Sequence, residues 1–215
     1  MPYPTDKDVP FRLDADRTAL LVVDMQNDFV RAGAPMEVPD ARGTIDAQRE
    51  LIGVARAKNV PVLFTRFLAG PAYTLVWEWS PLLGPEVQSC WKGVMRSYDD
   101  IADKRDGSDV IDELRPEPAD HVIEKYGYNA FHDTNTLSTL HALGRNMIIV
   151  AGTVTQICVN DTVRGAFHHG LRTVVARDGV SSYDAEQHNA TLRGLDMKYA
   201  RVLDNAQILV ELGAT

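Results

Sequence analysis

The sequence predicts an α/β protein with an open, doubly wound parallel sheet. Three observations favour this fold class. Short apolar runs rich in β-branched residues recur along the chain, and most of them are followed by a stretch with helical spacing. The chain has 215 residues, a length at which single α/β domains are common. We therefore expect one domain spanning residues 1–215.

Six apolar runs are the predicted strands. Their hydrophobicity is continuous rather than alternating, which is typical of strands covered on both faces, as in a parallel sheet. The sixth run is weaker than the others. In order, the runs are Ala19–Val23, Val60–Phe64, His121–Glu124, Met147–Ala151, Thr173–Ala176 and Ala200–Leu203.

The segments between these runs carry the spacing of amphipathic helices. Leu51, Ile52 and Ala55 recur on one helical face before the second run. Leu140 belongs to a similar pattern before the fourth run, and Gly144 lies where a glycine often ends a helix. Strand and helix in alternation predict βαβ units, which build a doubly wound sheet.

One long connection, at about 68–117, interrupts this rhythm. It is rich in proline and glycine and holds all three tryptophans, Trp77, Trp79 and Trp91. Connections this long inside a compact domain are often lids or binding loops. Aromatic residues also form satellite cores and subunit contacts, so both a pocket lid and a subunit contact stay open for this segment.

Composition and charge exclude several classes of function. The net charge is −8 and the pI is near 5.2, which argues against general affinity for nucleic acid or an anionic membrane. We find no signal peptide and no apolar run near the 18 or so residues of a membrane span. The two cysteines, Cys90 and Cys158, form no CxxC pair. We expect a reduced, cytoplasmic protein.

Chemically useful side chains follow three of the predicted strands. Asp24 ends the first run, Lys125 ends the third, and the fourth leads through Gly152 to Cys158. Ligands of open α/β sheets bind beyond the carboxyl ends of the strands, so these three groups can converge. A cation and a helix N-terminus stabilise a thiolate, and a carboxylate can take the thiol proton. The trio predicts a cysteine nucleophile.

Each residue of the trio also has an ordinary structural explanation. An isolated cysteine is more often a small buried hydrophobe. Asp24 could cap a turn, and Lys125 could be a solvated lysine at a strand end. Their shared position at strand ends is the observation that favours a common site.

Three ordered motifs resemble those of the isochorismatase-like cysteine hydrolases. They are LVVDMQNDFV at Leu21–Val30, HVIEKYGYNAF at His121–Phe131 and VAGTVTQICVNDTVRG at Val150–Gly165. This family includes nicotinamidases, N-carbamoylsarcosine amidohydrolase, and ureidoacrylate, biuret and triuret hydrolases. The resemblance implies a three-layer α/β/α sandwich with a six-stranded parallel sheet, and it extends from about Thr18 to Leu203.

The resemblance also implies functional residues. It maps a catalytic triad onto Asp24, Lys125 and Cys158, and a non-proline cis peptide onto the bond between Thr153 and Val154. The backbone amides of Val154 and Cys158 would then face the substrate oxyanion. Two further motif positions, Gln26 and Phe29, would line or support the pocket.

Metal and cofactor binding are not expected. Nicotinamidases hold a metal through an Asp-x-His arrangement after the second strand, whereas residues 65–70 here read TRFLAG. The six histidines are scattered and suggest no converging ligands. By resemblance, the presence of Cys158 favours the amide-hydrolysing branch of the family, because members without this cysteine cleave a vinyl ether instead.

The expected substrate is a small amide or ureide. Biuret, triuret or an N-carbamoyl compound is favoured, with a simple aliphatic or aromatic carboxamide as the alternative. Arginines can clamp a carboxylate or planar ureide, and aromatic residues can wall the pocket. The residues expected in these roles are Arg66, Arg96, Trp77 and Trp79.

Other readings of the chain stay open. A non-catalytic binding module of the same fold would be marked by loss of a triad member, and all three members are present. A thiol redox sensor would need a resolving cysteine, and none lies close in sequence. By resemblance, the protein is expected to be a homo-oligomer, either a dimer or a tetramer.

Overall fold

Strands and helices alternate along residues 9–213, which are the residues that the computed structural model describes. The strands are β1 Thr18–Val23, β2 Val62–Phe67, β3 Met95–Tyr98, β4 Ile101–Asp106, β5 His121–Lys125, β6 Met147–Thr153, β7 Arg172–Ser181 and β8 Arg201–Leu203. The helices are α1 Asn27–Val30, α2 Ile45–Ala57, α3 Val76–Trp79, α4 Thr136–Ala142, α5 Asn160–His168, α6 Ala185–Lys198 and α7 Asn205–Glu211. A π-helical turn, Thr155–Val159, leads into α5.

Six of these strands form one parallel sheet in the order β5-β2-β1-β6-β7-β8. The chain winds outward from β1 in one direction and, starting from β6, in the other. The reversal lies between β1 and β6, where Val23 pairs with Gly152. The predicted α/β fold with a six-stranded parallel sheet is confirmed.

A hydrophobic cluster covers each face of the sheet. Side chains of a strand alternate between the two faces, so β1 contributes to both clusters. Leu20 and Val22 belong to one, with α2 and α7, while Leu21 and Val23 belong to the other, with α5 and α6. Every residue of β1 is buried, which explains its continuous apolar sequence.

The long connection at 68–117 contains a β-hairpin that its sequence does not predict. The antiparallel hairpin β3–β4 lies within it, with Met95 opposite Asp106. Its strands read MRSY and IADKRD and are mostly exposed or half-buried, so no apolar pattern marks them. In the main sheet, strands β2 and β7 extend three and five residues past their predicted ends, to Phe67 and Ser181.

A buried carboxylate fastens this connection to helix α1. Asp28 is fully buried and accepts hydrogen bonds from the Cys90 amide at 2.7 Å and the Tyr98 hydroxyl at 2.7 Å. Arg96 lies 3.1 Å from the same carboxylate through its Nε. Because α1 directly follows the carboxyl end of β1, these contacts hold the connection beside that end of the sheet.

No helix among residues 9–213 is long and apolar enough to cross a membrane.

Candidate active site

Asp24 lies in the first turn after β1, with its backbone in the left-handed region at φ 49°. Thr65 on the neighbouring strand β2 fixes it twice. The Asp24 amide donates to Thr65 Oγ1 at 3.1 Å, and the Thr65 hydroxyl donates to Asp24 Oδ1 at 2.6 Å. The second carboxylate oxygen is thereby directed toward the end of β5.

Lys125, the last residue of β5, meets that oxygen. Its Nζ lies 2.7 Å from Asp24 Oδ2 and donates to Gly127 O at 3.0 Å, and both side chains of the ion pair are fully buried. The ammonium also lies 5.1 Å from the centre of the Phe67 ring, within the range of a cation–π contact. A lysine is rarely this buried unless it is paired, so the pair with Asp24 holds it in place.

Cys158 reaches the pair from the other side of β1. Its Sγ lies 3.6 Å from Lys125 Nζ, and the residue is 5% exposed. The sulfur sits in the π-helical turn after β6, just before α5 begins. The structure therefore brings together the three side chains that follow β1, β5 and β6. Their catalytic roles stay a prediction.

The turn that carries Cys158 is built as the resemblance implies, with a cis peptide between Thr153 and Val154. Val154 O accepts from the amides of Ile157 and Val159 at 3.0 and 3.2 Å. Thr155 ties the turn to the end of β7, since its hydroxyl donates to Ser181 O at 2.9 Å.

His188 supports the same turn from α6. Its Nδ1 lies 2.9 Å from Thr155 Oγ1, and because that hydroxyl donates to Ser181, the imidazole acts as the donor. Burial lowers the pKa of His188, Asp40 opposes this effect and Arg177 adds to it, so the net shift favours the neutral ring.

Burial controls the protonation of the site. It raises the pKa of the Cys158 thiol, and the Asp24 charge adds to this effect while Lys125 opposes it. Cys158 is therefore a neutral thiol in the resting site, whereas its sequence context suggested a thiolate. Burial lowers the pKa of Lys125, but Asp24 and Cys158 raise it more, so the net shift is upward and the lysine stays protonated.

Cys158 opens onto a cavity of about 100 Å³ at this end of the sheet. Most of its wall is apolar, and its polar groups are mainly hydroxyls. The lining residues are Phe29, Met36, Val38, Phe67, Ser80, Leu83, Tyr128, Thr153, Val154, Ile157, Cys158 and Tyr183.

Two other residues expected at the pocket, Phe29 and Gln26, differ in position. Phe29 lines the cavity directly. Gln26 is fully buried behind it, donates to Phe67 O at 2.9 Å and accepts from the Phe67 amide at 2.7 Å. Gln26 thus supports the end of β2, which carries the Phe67 ring under Lys125.

The arginines expected to bind substrate lie elsewhere. Arg66 points away from the cavity, because the alternation along β2 directs its neighbour Phe67 inward, and it pairs with Asp109 at 2.9 Å. It lines a separate cavity of about 380 Å³. Arg96 is held by the buried Asp28. Neither guanidinium lines the cavity at Cys158.

The tryptophans also lie outside the cavity wall. Trp77 donates to Ala69 O and stacks on Trp91 with 5.7 Å between ring centres, where it packs against the core. Trp79 is 81% exposed on the surface of the connection. The part of the connection that does reach the cavity is Ser80 and Leu83.

Several lining residues escape the sequence analysis. Tyr128 carried a usable signal, because it lies in the second motif three residues after Lys125. Met36, Val38 and Tyr183 carry none, since they come from loops whose approach depends on the packing of the whole chain.

Among residues 9–213, no group of three or more His, Cys, Asp or Glu side chains is arranged to hold a metal ion.

Comparison with known proteins identifies the class. The isochorismatase domain model matches residues 18–207. Nicotinamidase 3 of Arabidopsis thaliana is 30% identical over 190 residues, covering 86% of this chain and 84% of that protein. Ureidoacrylate amidohydrolase RutB of Methylobacterium radiotolerans is 30% identical over 222 residues, covering 95% and 83%. A cysteine hydrolase from Pseudomonas syringae pv. phaseolicola 1448A shares the fold, with a TM-score of 0.83 at 23% identity over 98% and 99% of the two chains.

The chain therefore belongs to the isochorismatase family. It is a hydrolase acting on non-peptide carbon–nitrogen bonds, the reaction class of the amidohydrolases among its relatives.

Proposed function

We propose that the protein hydrolyses the terminal C–N bond of a small amide or ureide, with Cys158 as the nucleophile. One observation carries this proposal. Lys125 Nζ lies 2.7 Å from Asp24 Oδ2 and 3.6 Å from the sulfur of Cys158, which lines the cavity, and a carboxylate, an ammonium and a thiol are the set of groups that thiol-based amide hydrolysis needs.

In the first step the thiol attacks the substrate carbonyl carbon. The S–C bond forms, the thiol proton passes to Asp24, and the carbonyl π electrons move onto oxygen. The N–H groups of Val154 and Cys158 would receive that oxyanion, an interaction worth about 3–4 kcal/mol in comparable sites. Transfer to Asp24 suits a neutral thiol, because no free thiolate has to accumulate beforehand.

In the second step the tetrahedral intermediate collapses. The C–N bond breaks as Asp24 returns its proton to the leaving nitrogen, and ammonia departs. The acyl group stays on Cys158 as a thioester, or as a thiocarbamate when the substrate is a ureide.

In the third step a water molecule takes the place of ammonia. Asp24 removes its proton, the water oxygen attacks the acyl carbon, and the S–C bond breaks to release the acid and restore the thiol. Lys125 stays protonated throughout. Its charge stabilises the carboxylate form of Asp24 and the sulfur as negative charge develops on it.

The named relatives span both substrate classes that the sequence analysis considers. Ureidoacrylate amidohydrolase is named for a ureide, and nicotinamidase for an aromatic carboxamide. A ureide such as biuret, triuret or an N-carbamoyl compound and a simple carboxamide are thus both candidates for this chain, within the same mechanism.

Ammonia release from a panel of ureides and carboxamides tests the proposal. Cys158→Ser should lower kcat by at least about 10³-fold, because the nucleophile acts as a unit with its base. Cys90→Ser, which changes the other buried thiol, should stay within a few-fold of wild type. Activity that survives in Cys158→Ser would overturn the mechanism, and an enzyme inactive toward every amide would favour a non-catalytic binding role. Measurement before and after EDTA treatment tests the expected independence from metal.

A further inference from the structure

The cavity at Cys158 has an apolar wall that the proposed chemistry does not require. Seven of its lining side chains are hydrocarbon or thioether: Phe29, Met36, Val38, Phe67, Leu83, Val154 and Ile157. Such a wall makes no hydrogen bonds to a polar substrate. It favours binding of an apolar acyl group, because the transfer of apolar surface from water into the cavity is favourable.

The polar groups of the wall are uncharged. They are the hydroxyls of Ser80, Tyr128, Tyr183 and Thr153. Within the described range 9–213, no arginine or histidine lines the cavity, and no lysine does so. Burial raises the pKa of the Tyr128 hydroxyl, so this phenol stays neutral as well.

The site offers no net positive charge to a substrate carboxylate. The ammonium of Lys125 is already matched by Asp24 at 2.7 Å, and Cys158 is a neutral thiol. The arginines that could have bound a carboxylate are held by other acids, Arg66 by Asp109 and Arg96 by Asp28. A carboxylate entering this cavity would lose its water without gaining a counter-ion, which strongly disfavours binding.

We propose that the substrate is a small amide whose acyl group is uncharged and largely apolar. The inference rests on the proposed function and narrows it. The cavity of about 100 Å³ is well below the 300–1,000 Å³ that drug-sized ligands occupy, so it suits an acyl group of a few carbons. It also disfavours biuret, because most of the wall that would surround a second amide group is hydrocarbon and only a few hydroxyls could pair with its polar atoms.

Three amides of similar size test this selectivity. Isobutyramide carries an apolar acyl group, biuret is neutral and polar, and malonamate carries a carboxylate. The wild-type chain should release ammonia from isobutyramide with a kcat/KM at least about 100-fold above that for malonamate, because a carboxylate buried without a counter-ion is strongly disfavoured. Biuret should fall between them. Hydrolysis of malonamate or biuret as fast as isobutyramide, abolished by Cys158→Ser, would overturn the inference and leave the mechanism standing.

Alkylation of Cys158 gives a second test that needs no turnover. Iodoacetamide and iodoacetate are similar in size and differ in charge. Their rate ratio at Cys158, divided by the same ratio for glutathione, should favour iodoacetamide by about tenfold or more, and peptide mass spectrometry separates Cys158 from Cys90. A ratio equal to that of glutathione would contradict an uncharged site, even if none of the amides is a substrate.

A matched pair of variants tests whether the lack of a positive charge in the cavity causes this substrate selectivity. Met36 is half-buried and lines the cavity, so a longer polar side chain can be accommodated there. Met36→Lys should improve kcat/KM for malonamate relative to isobutyramide by about tenfold, whereas Met36→Gln should not. Equal selectivity in both variants would show that charge does not govern access.

Discussion

Lys125 is the residue through which the candidate active site is held together. It touches Asp24, Cys158, Gly127 and the ring of Phe67, and it has no exposed surface. A buried charge of this kind is tolerated because its partner is equally buried and close. The arrangement also fixes the resting protonation, with a protonated lysine beside a neutral thiol.

The pH dependence of activity should reflect this protonation. The net upward shift in the pKa of Lys125 means that the lysine keeps its proton at least to its ordinary value of 10.5, and the thiol pKa is also raised. We therefore expect kcat/KM to show no alkaline decline between neutral pH and pH 10. The pH profile of ammonia release measures this directly, and a decline centred near pH 8.5 would contradict the raised pKa values of the thiol and the lysine.

Removal of the lysine charge should damage both stability and activity. Lys125→Met leaves Asp24 buried without its partner, so we expect a loss of about 3–5 kcal/mol in the free energy of unfolding. Activity should fall by at least about 100-fold, because the negative charge that develops on the sulfur would lose the cation that lies 3.6 Å away. Lys92→Met, at an exposed lysine paired with Glu124, is the control and should change neither quantity appreciably. Urea unfolding and ammonia release measure the two effects.

At the scale of elements, the close approach of β1 and β6 sets the position of Cys158. Gly152 pairs with Val23 at the carboxyl ends of these strands, and its backbone has φ 110°. A Cβ at this position would lie 2.0 Å from Val23 O. The strand that leads into the turn bearing Cys158 can approach β1 this closely only because Gly152 has no side chain.

Gly152→Ala should therefore be among the most damaging single changes. We expect a loss of about 4 kcal/mol or more in the free energy of unfolding, since backbone atoms of two core strands would have to separate. Gly53→Ala is the matched control in helix α2, where a Cβ meets nothing within 4 Å. It should stabilise the protein by about 0.5–1 kcal/mol through helix propensity. Urea denaturation compares them, and a Gly152→Ala protein as stable as wild type would contradict the packing described.

The elements also show what sequence can and cannot predict. Strands β1, β2 and β6 are found because they are buried almost throughout and so are continuously apolar, whereas the edge strands β5 and β8 are only partly buried and carry a weaker pattern. The positions of Asp24, Lys125 and Cys158 follow from the rule that parallel strands present their carboxyl ends at one edge. The hairpin β3–β4 is missed because its residues are polar and its packing depends on Asp28, which lies far away in sequence.

The cavity wall is the least predictable part of the site. Its residues come from five or more separate stretches, so their convergence depends on the packed chain rather than on a local pattern. Arg66 illustrates the difficulty. It is in the right strand and one residue from Phe67, but the two-residue period of a strand places it on the opposite face.

At the scale of the whole molecule, the six-stranded sheet connects the hydrophobic core, the candidate active site and the long connection. Two hydrophobic clusters share it, and the connection at 68–117 packs onto one of them through Trp77 and Trp91. The expectation of a homo-oligomer stays a prediction, which light scattering of the purified protein can test.

Because the connection packs on the core of the sheet, it should unfold together with the sheet. All three tryptophans lie in it, so tryptophan fluorescence reports the connection, while far-ultraviolet circular dichroism reports the helices and strands. The two signals should give the same urea midpoint, as for a two-state transition. A fluorescence transition that precedes the circular dichroism transition would mean that the connection detaches first.

The strand order has a consequence for how the chain acquires its shape during synthesis. Strand β1 lies at the middle of the sheet, and one of its two neighbours is β6. Because β6 follows far later in the chain, the pairing of Thr18 with Met147 cannot form until long after β1 has left the ribosome. Until then the backbone of β1 presents an open hydrogen-bonding edge flanked by apolar side chains. The nascent protein is thus most vulnerable to misassociation before β6 has been synthesised, and the segment that closes this edge also leads to Cys158.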